Sequence, residues 1–245
     1  MKNKKTFGLI LFIILFSYFL ILMDNSIIFT SSLKISQDLK MNESTLSWVS
    51  NAYTITFGGF LLLAGRLGDL LGRKIIFLLG LFIFGFSSLV VGLSTSSEMM
   101  IIARAVQGIG SAILAPTSLA LLMDTYKGDL RVRAISYYGA TAGIGSSFGL
   151  ILGGWLTSAL SWRVGFLLNV PFSLLLIILT LVNIHQSDIK ASKIDFLGSF
   201  LSVLISVLFV FGITVSNLFI IILSFVLIIL FIPVSYTHLT LPTKA

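Results

Sequence analysis

Apolar residues run almost unbroken through eight stretches, at about 7–29, 48–64, 75–94, 99–123, 134–156, 164–184, 195–215 and 218–233. A helix rises 1.5 Å per residue, so about 20 apolar residues cross a hydrocarbon core, and each stretch is long enough to do so. The joints between them are short, and the chain has almost nothing left over for a domain outside the bilayer. The pattern predicts an all-α integral membrane protein of about eight spans, numbered here in chain order.

Composition agrees. The 245 residues are 57% hydrophobic and 10% charged, with a mean hydropathy of +1.08, against roughly 25% charged in soluble domains; a soluble globular enzyme is excluded. There are no cysteines, which removes disulfides, thiolate metal sites and cysteine nucleophiles. The two histidines, His185 and His238, make no metal cluster. A net charge of +7 would point to nucleic acid in a soluble protein, but the basic residues are placed by topology. Lys2, Lys4, Lys5, Arg66, Arg73, Lys74, Lys127, Arg131, Arg133, Lys190 and Lys193 fall on one side of the spans, and only Lys34, Lys40 and Arg163 on the other. The positive-inside rule therefore puts the N-terminus and the joints after even-numbered spans in the cytoplasm. The expected partner is the lipid bilayer of the plasma membrane, crossed many times, and not nucleic acid. Met1–Lys5 before an apolar run also fits a signal peptide, but the run is long and ends in no small-x-small site, so span 1 is read as a permanent anchor.

Two segments align without a gap at an offset of 89 residues: 65–79 and 154–168 share a glycine, two leucines and a Phe-Leu-Leu end. The first joins spans 2 and 3 and the second spans 5 and 6, so they lie on opposite faces. That is the layout of an inverted three-plus-three repeat, from which many secondary transporters build each half; chance similarity between Gly- and Leu-rich stretches is the alternative.

The most specific signal is Gly65-x-Leu67-x-Asp69-x-x-Gly72-Arg73-Lys74, read as a short loop holding one acid, three bases and two further glycines. Glycines let spans 2 and 3 turn tightly, and Asp69 and Arg73 supply charges that can pair in one conformation and part in another. A merely basic inner loop explains Arg66, Arg73 and Lys74 but not the spacing of Gly and Asp. This pattern resembles the signature between helices 2 and 3 of the major facilitator superfamily. Asp24-Asn-Ser-Ile-Ile in span 1, Arg104-Ala-Val-Gln107-Gly108-Ile-Gly110 in span 4 and Gly145-x-x-x-Gly149-x-x-x-Gly153-Gly154 in span 5 follow in the family's order. Trp162-Arg163 and Asn169-Val-Pro171 look like the fourteen-helix drug:proton antiporter branch, where two extra helices follow the first six. The resemblance covers residues 7 to about 233. It implies that Asp124, at the inner end of span 4, pairs with the basic end of the 65–74 loop, most plausibly Arg73; an ordinary interfacial acid is the alternative.

Arg104 lies about six residues inside span 4 and Asp24 about six before the outer end of span 1, so both sit ~9 Å below the outer boundary. Matched depth permits pairing, and an intramembrane charge is a functional candidate that needs a partner or a water-filled cavity. On the functional reading Asp24 takes up and releases a transported proton while Arg104 tunes its affinity; on the other, the two form a permanent lock between spans 1 and 4. Gly145, Gly149 and Gly153 recur every fourth residue, with Gly139 and Gly143 ahead of them, and predict a stripe for backbone-to-backbone packing. Where the antiporter signature has proline after Gly149, this chain has Leu150, which departs from the export pattern. Gly143-x-Gly145 and Gly108-x-Gly110 lie inside helices with no strand before them and do not read as nucleotide-binding turns. The 21 phenylalanines are spread over every span as packing and lipid-facing surface. Asn51, Tyr53, Thr54, Gln107, Ser118, Thr141 and Asn169 are the polar residues available to line a path.

After Pro233 the pattern breaks. Residues 234–243 back-translate as GTC TCT TAT ACA CAT CTG ACG CTG CCG ACG, which resembles a transposase-type sequencing adapter, so 234–245, with His238 and Lys244, are set aside. The expected organisation is a six-helix N-terminal transporter half over 1–184, a cytoplasmic linker over 185–194 and two extra spans over 195–233, with the C-terminal half of the same protein missing. The expected function is export of amphipathic small molecules by alternating access, driven by a proton gradient and needing no cofactor. A facilitator-type uniporter or nutrient symporter is the nearest rival, favoured by Leu150 and disfavoured by eight spans. A non-transporting receptor or assembly protein would have no reason to carry Asp24, Arg104 and the loop signature together. No metal-ligand cluster and no nucleophile beside a base favours an enzyme.

Overall fold

In the computed structural model the backbone is described for residues 4–186 and 196–239, and side-chain surroundings for 8–186, 201 and 203–229. The helices are α1 (Lys4–Asp38), α2 (Glu43–Leu71), α3 (Arg73–Gly92), α4 (Ser97–Thr125), α5 (Gly128–Ala159), α6 (Trp162–Leu167), α7 (Asn169–Asn183), α8 (Phe196–Thr214) and α9 (Leu218–Leu239), with no strand among the described residues. Since α6 and α7 make one span, Trp162–Asn183, the count of about eight holds. By length and apolar composition α1, α2, α3, α4 and the α6–α7 pair qualify as crossings. Glycine and serine dilute the 32-residue α5.

Local chemistry decides where the helices start and stop. Asn42 caps α2 by accepting from the Thr45 N–H at 2.8 Å, and Ser96 caps α4 from the Met99 N–H at 3.2 Å; each satisfies an otherwise orphaned donor, with Glu43 and Glu98 in the first turns favourably placed against the helix dipole. Two expected boundaries are corrected. Span 1 does not end near 29: α1 runs on to Asp38, with the hydroxyls of Ser32 and Ser36 bonded back to the carbonyls of Phe29 and Leu33, and the chain turns only at Lys40, at φ 52°. The 65–74 segment is not an open loop: residues through Leu71 are helical, and Gly72 alone, at φ 94°, separates α2 from α3. Span 6 runs as one crossing, Trp162–Asn183; Pro171 has no N–H for the carbonyl of Leu167, so one helix bond is missing, while Leu168 keeps helical angles, φ −61° and ψ −29°.

α1 packs chiefly on α5 and also on α4 and α7; α4 fills the centre between α2 and α3, and α3 rests on α7. One buried apolar cluster joins Ile14, Met23 and Ile27 of α1 to Phe77 and Phe84 of α3, Leu114 and Leu122 of α4, Phe166 of α6 and Leu176 of α7. α8 and α9 pair with each other, and α8 lies against α2 through Val207 on Gly59 and Phe211 near Trp48. Large apolar side chains are exposed on α3, α5, α7 and α9 alike, among them Phe82, Ile151, Val182 and Phe219. A surface of this kind is stable only against lipid. The protein is a multi-pass membrane protein.

The stripe on α5 meets α1. A side chain at Gly149 would stand 2.6 Å from the Met23 carbonyl oxygen, and one at Gly145 3.2 Å from that of Phe19. Gly153 faces Ile27 in the same way. Gly139, Gly143 and Gly154 have nothing within 4 Å, so Gly154, expected in the packing motif, lies off the stripe, about 100° round the helix from Gly153. The backbone of α9 continues as helix through Leu239, inside the stretch set aside at 234–245; residues 240–245, and 187–195 of the expected linker, lie outside the described residues.

Candidate functional site

Asp24 and Arg104 are both wholly buried, and they meet: Arg104 Nη1 donates to Asp24 Oδ2 at 2.8 Å. Asp24 now lies well inside the extended α1, and the pair forms because α1 crosses α4 at that level. Two amides complete the carboxylate's surroundings. Gln107, one turn beyond Arg104 on α4, donates from Nε2 to Asp24 Oδ1 at 3.0 Å, and Asn169, the first residue of α7, donates from Nδ2 to the same oxygen at 2.7 Å. Both amide nitrogens also donate to Ser88 Oγ of α3, each at 2.9 Å. Arg104 Nη1 further donates to Gln107 Oε1 at 2.7 Å, and Nε to the Val49 carbonyl at 3.4 Å. The Tyr53 ring of α2 lies under the guanidinium, 4.2 Å from its centroid, an attraction that strengthens where water is absent. Five helices thus contribute to one polar cluster in an apolar core.

Asn169 reaches Asp24 from a span that keeps helical angles through Leu168, two residues before Pro171. Chemically the cluster is a carboxylate held by one cation and two amide donors inside an apolar core. Two buried polar atoms of the cluster, Arg104 Nη2 and Asn169 Oδ1, have no hydrogen-bond partner, while the Tyr53 hydroxyl has Ser111 of α4 beside it.

A second set of charges closes the end of the bundle where α2 meets α3. Arg73 donates from Nη2 to Asp69 Oδ1 at 3.0 Å and from Nη1 to Asp124 Oδ2 at 2.6 Å and the Ala120 carbonyl at 2.8 Å. The first residue of α3 is thereby tied to the ends of α2 and α4. Lys74 Nζ donates to the Leu181 carbonyl of α7 at 2.9 Å, and Gln186 Nε2 to the Leu71 carbonyl at 3.3 Å. Gly65 faces Pro116 across α4. Of the expected residues in α4, Gln107 belongs to the polar cluster, whereas Gly108 and Gly110 are close-approach points: a side chain at Gly108 would stand 2.5 Å from the Tyr53 carbonyl, and one at Gly110 2.7 Å from the Phe84 nitrogen.

The opposite end repeats the arrangement. Arg163, in the first turn of α6, pairs with Asp38 at the end of α1 and donates from Nη2 to the Ser94 carbonyl after α3 at 2.9 Å; Trp162 Nε1 also donates to Asp38, at 3.1 Å. Gly72 and Ser161, which break the helices before these arginines, are 89 residues apart, and Asp38 closes α1 as Asp124 closes α4. Three residues of these sites carried no motif: Ser88, a lone hydroxyl in an apolar helix; Gln186, beyond the last span-like residue; and Asp38, hidden because span 1 was expected to end earlier. Thr54 and Thr141 only bond back to their own helices, Ser118 pairs with Tyr138, and Asn51 is half-buried away from the cluster.

The sequence model of the Major Facilitator Superfamily matches residues 14–244. The chain belongs to this superfamily. The match continues through 234–244, most of the stretch set aside as adapter-like. Relatives within the superfamily include the uncharacterized MFS-type transporter EfpA of Mycobacterium tuberculosis, 39% identical over 195 residues, and the cephamycin export protein CmcT of Amycolatopsis lactamdurans, 41% identical over 159. The alignments cover 79% and 64% of this chain but 37% and 33% of those proteins, so the chain spans well under half the length of the curated relatives it matches. Among solved structures, a bacterial homologue of the human lysosomal transporter Spinster, inward-facing and occupied, superimposes with a TM-score of 0.67 at 17% identity, over 78% of this chain and 47% of that one. At that identity the likeness shows the facilitator fold alone.

Proposed function

We propose that this chain is the N-terminal part of a proton-coupled exporter of amphipathic small molecules in the fourteen-helix drug:proton branch of the superfamily. It works with a second six-helix half by alternating access in the plasma membrane, its N-terminus cytoplasmic. The observation that carries the reading is the fully buried Asp24–Arg104 pair, flanked by two amides and a guanidinium nitrogen with no partner. The amide donors would serve a permanent lock as well, since the carboxylate's remaining lone pairs must be satisfied, but a finished lock would not leave Arg104 Nη2 buried without a partner. A carboxylate that must exist both charged and neutral inside a membrane needs a cation and movable polar groups around it. Substrate class is carried by the relatives, one of which is named for cephamycin export. The Arg73 knot serves as the cytoplasmic fastening of this half, holding α2, α3 and α4 together while the two halves move.

The test is efflux from everted vesicles holding the complete gene's product, with proton release followed by a pH-sensitive dye. Arg104→Ala and Asp24→Asn are expected to abolish substrate-driven proton movement while the protein still reaches the membrane. Efflux with its normal pH dependence in Arg104→Ala would sink the assignment. Leu150 supports a second reading, a uniporter or symporter: α5 runs straight from Gly128 to Ala159 with no proline at the position following Gly149. Protons moving with the substrate, or not at all, would favour it.

A further inference from the structure

The two amides that hold Asp24 are not equivalent. Gln107 is fixed at both ends of its amide: Nε2 donates to Asp24 and Ser88, and Oε1 accepts from Arg104. Asn169 is fixed at one end only. Its Nδ2 uses both hydrogens, on Asp24 Oδ1 and Ser88 Oγ, while its Oδ1 is buried with no partner. An ionised carboxylate dictates that orientation, because it can only accept. A protonated Asp24 reverses the demand: its new hydroxyl must donate, and a buried donor left facing an amide N–H costs the desolvation of both groups.

From this asymmetry we propose that Asn169 is a positioning residue that reads the protonation state of Asp24 by reversing its side-chain amide. This rests on Asp24 being the proton-binding group. A proton from water adds to Asp24 Oδ1, and no bond between heavy atoms changes. A half-turn about the Asn169 Cβ–Cγ bond then presents Oδ1, whose two lone pairs accept from the Asp24 hydroxyl and from Ser88 Oγ–H. Ser88 serves both states because a hydroxyl accepts as readily as it donates. Gln107 stays in place, its carbonyl held by Arg104. The displaced Nδ2 takes the buried position that Oδ1 now occupies. The charged or titratable groups facing Asp24 are Arg104 from α4 and the Tyr53 hydroxyl from α2; α5, α6 and α7, also packed on α1, and α3 behind Ser88 bring none among the described residues. Asn169 stands two residues before Pro171, where the span lacks one helix bond, and the turn before it is tied through Arg163 to Asp38. The amide therefore couples the protonation of Asp24 to this weakened point of the span.

The experiment is pH-difference infrared spectroscopy on the 245-residue chain in lipid nanodiscs, with asparagine labelled by carbon-13 at the side-chain carbonyl. Asp24→Asn assigns the carboxyl band and Asn169→Leu the amide band. The Asn169 carbonyl band is expected to shift with the same midpoint as the Asp24 carboxyl band, and to stay still in Asp24→Asn. Asn169→Leu is expected to change the proton affinity of Asp24 by roughly three- to tenfold, from the difference between a charge-assisted and a neutral hydrogen bond. Ser88→Ala, which deletes one hydroxyl and threatens folding least, should leave Asp24 titrating with a smaller amide shift. An Asp24 band that titrates while the Asn169 band stays put overturns the inference and leaves proton binding by Asp24 standing. Absence of any Asp24 carboxyl band across the pH range in which the chain stays folded overturns both.

Discussion

Replacing Arg104 by Met removes one partner of an ion pair whose members are each wholly buried, so solvent screening does not reduce the effect. The guanidinium loses its bonds to Asp24, Gln107 and the Val49 carbonyl and its stacking on Tyr53. Asp24 keeps its amide donors but loses its counter-charge. Breaking one side of such a pair costs about 3–5 kcal/mol, and Asp24→Leu, which strands the guanidinium, should cost a similar amount. Removing both leaves an apolar contact with Gln107 and Asn169 short of acceptors, about 1–3 kcal/mol, rather than the sum of the two single losses. The assay is a double-mutant cycle by reversible SDS unfolding of the chain in mixed micelles, followed by helical circular dichroism. An interaction energy below about 0.5 kcal/mol is the additivity expected of independent sites, and would refute the claim that the cluster is held by this pair.

Gly149→Val should separate α1 from α5, because its side chain would enter the Met23 backbone 2.6 Å away; Gly143→Val, with open space beside it, should leave the SDS midpoint within about 0.5 kcal/mol of the parent. Gly72→Ala combines a left-handed φ with a collision against the Gln186 amide and should cost about 1–3 kcal/mol. Adding Gln186→Ala should recover only the collision, and full recovery in the same titration would show that backbone strain is absent. The chain has no cysteine, so single replacements report topology cleanly: Lys40→Cys should react with an impermeant maleimide added outside intact cells and Arg133→Cys only after lysis, and the reverse pattern would invert the orientation.

Much of this site was legible from residue types alone. Charges inside apolar runs are costly enough to declare themselves, so Asp24, Arg104 and the Gly65–Lys74 signature stood out, and their order along the chain matched a facilitator half. The 89-residue offset likewise pointed to two related joints. What hydropathy could not register was helix length beyond the apolar run. Thr30–Asp38 is polar yet helical, its serine hydroxyls bonded back onto helix carbonyls and Asp38 held by Arg163; the Asp38 knot was hidden for that reason.

Residue order alone obliges this chain to be a helical membrane protein with buried charges in spans 1 and 4, because the free energy of burying an apolar run or stranding a charge in lipid depends on local composition and length. Which polar groups share one site is set by the packing of helices. Asp24, Ser88, Gln107 and Asn169 lie far apart along the chain, and they meet because α1, α3, α4 and α7 cross at one level. Which amide is locked and which is free depends on whether its second atom finds a partner, and that is set by packing between helices rather than by any residue's own chemistry.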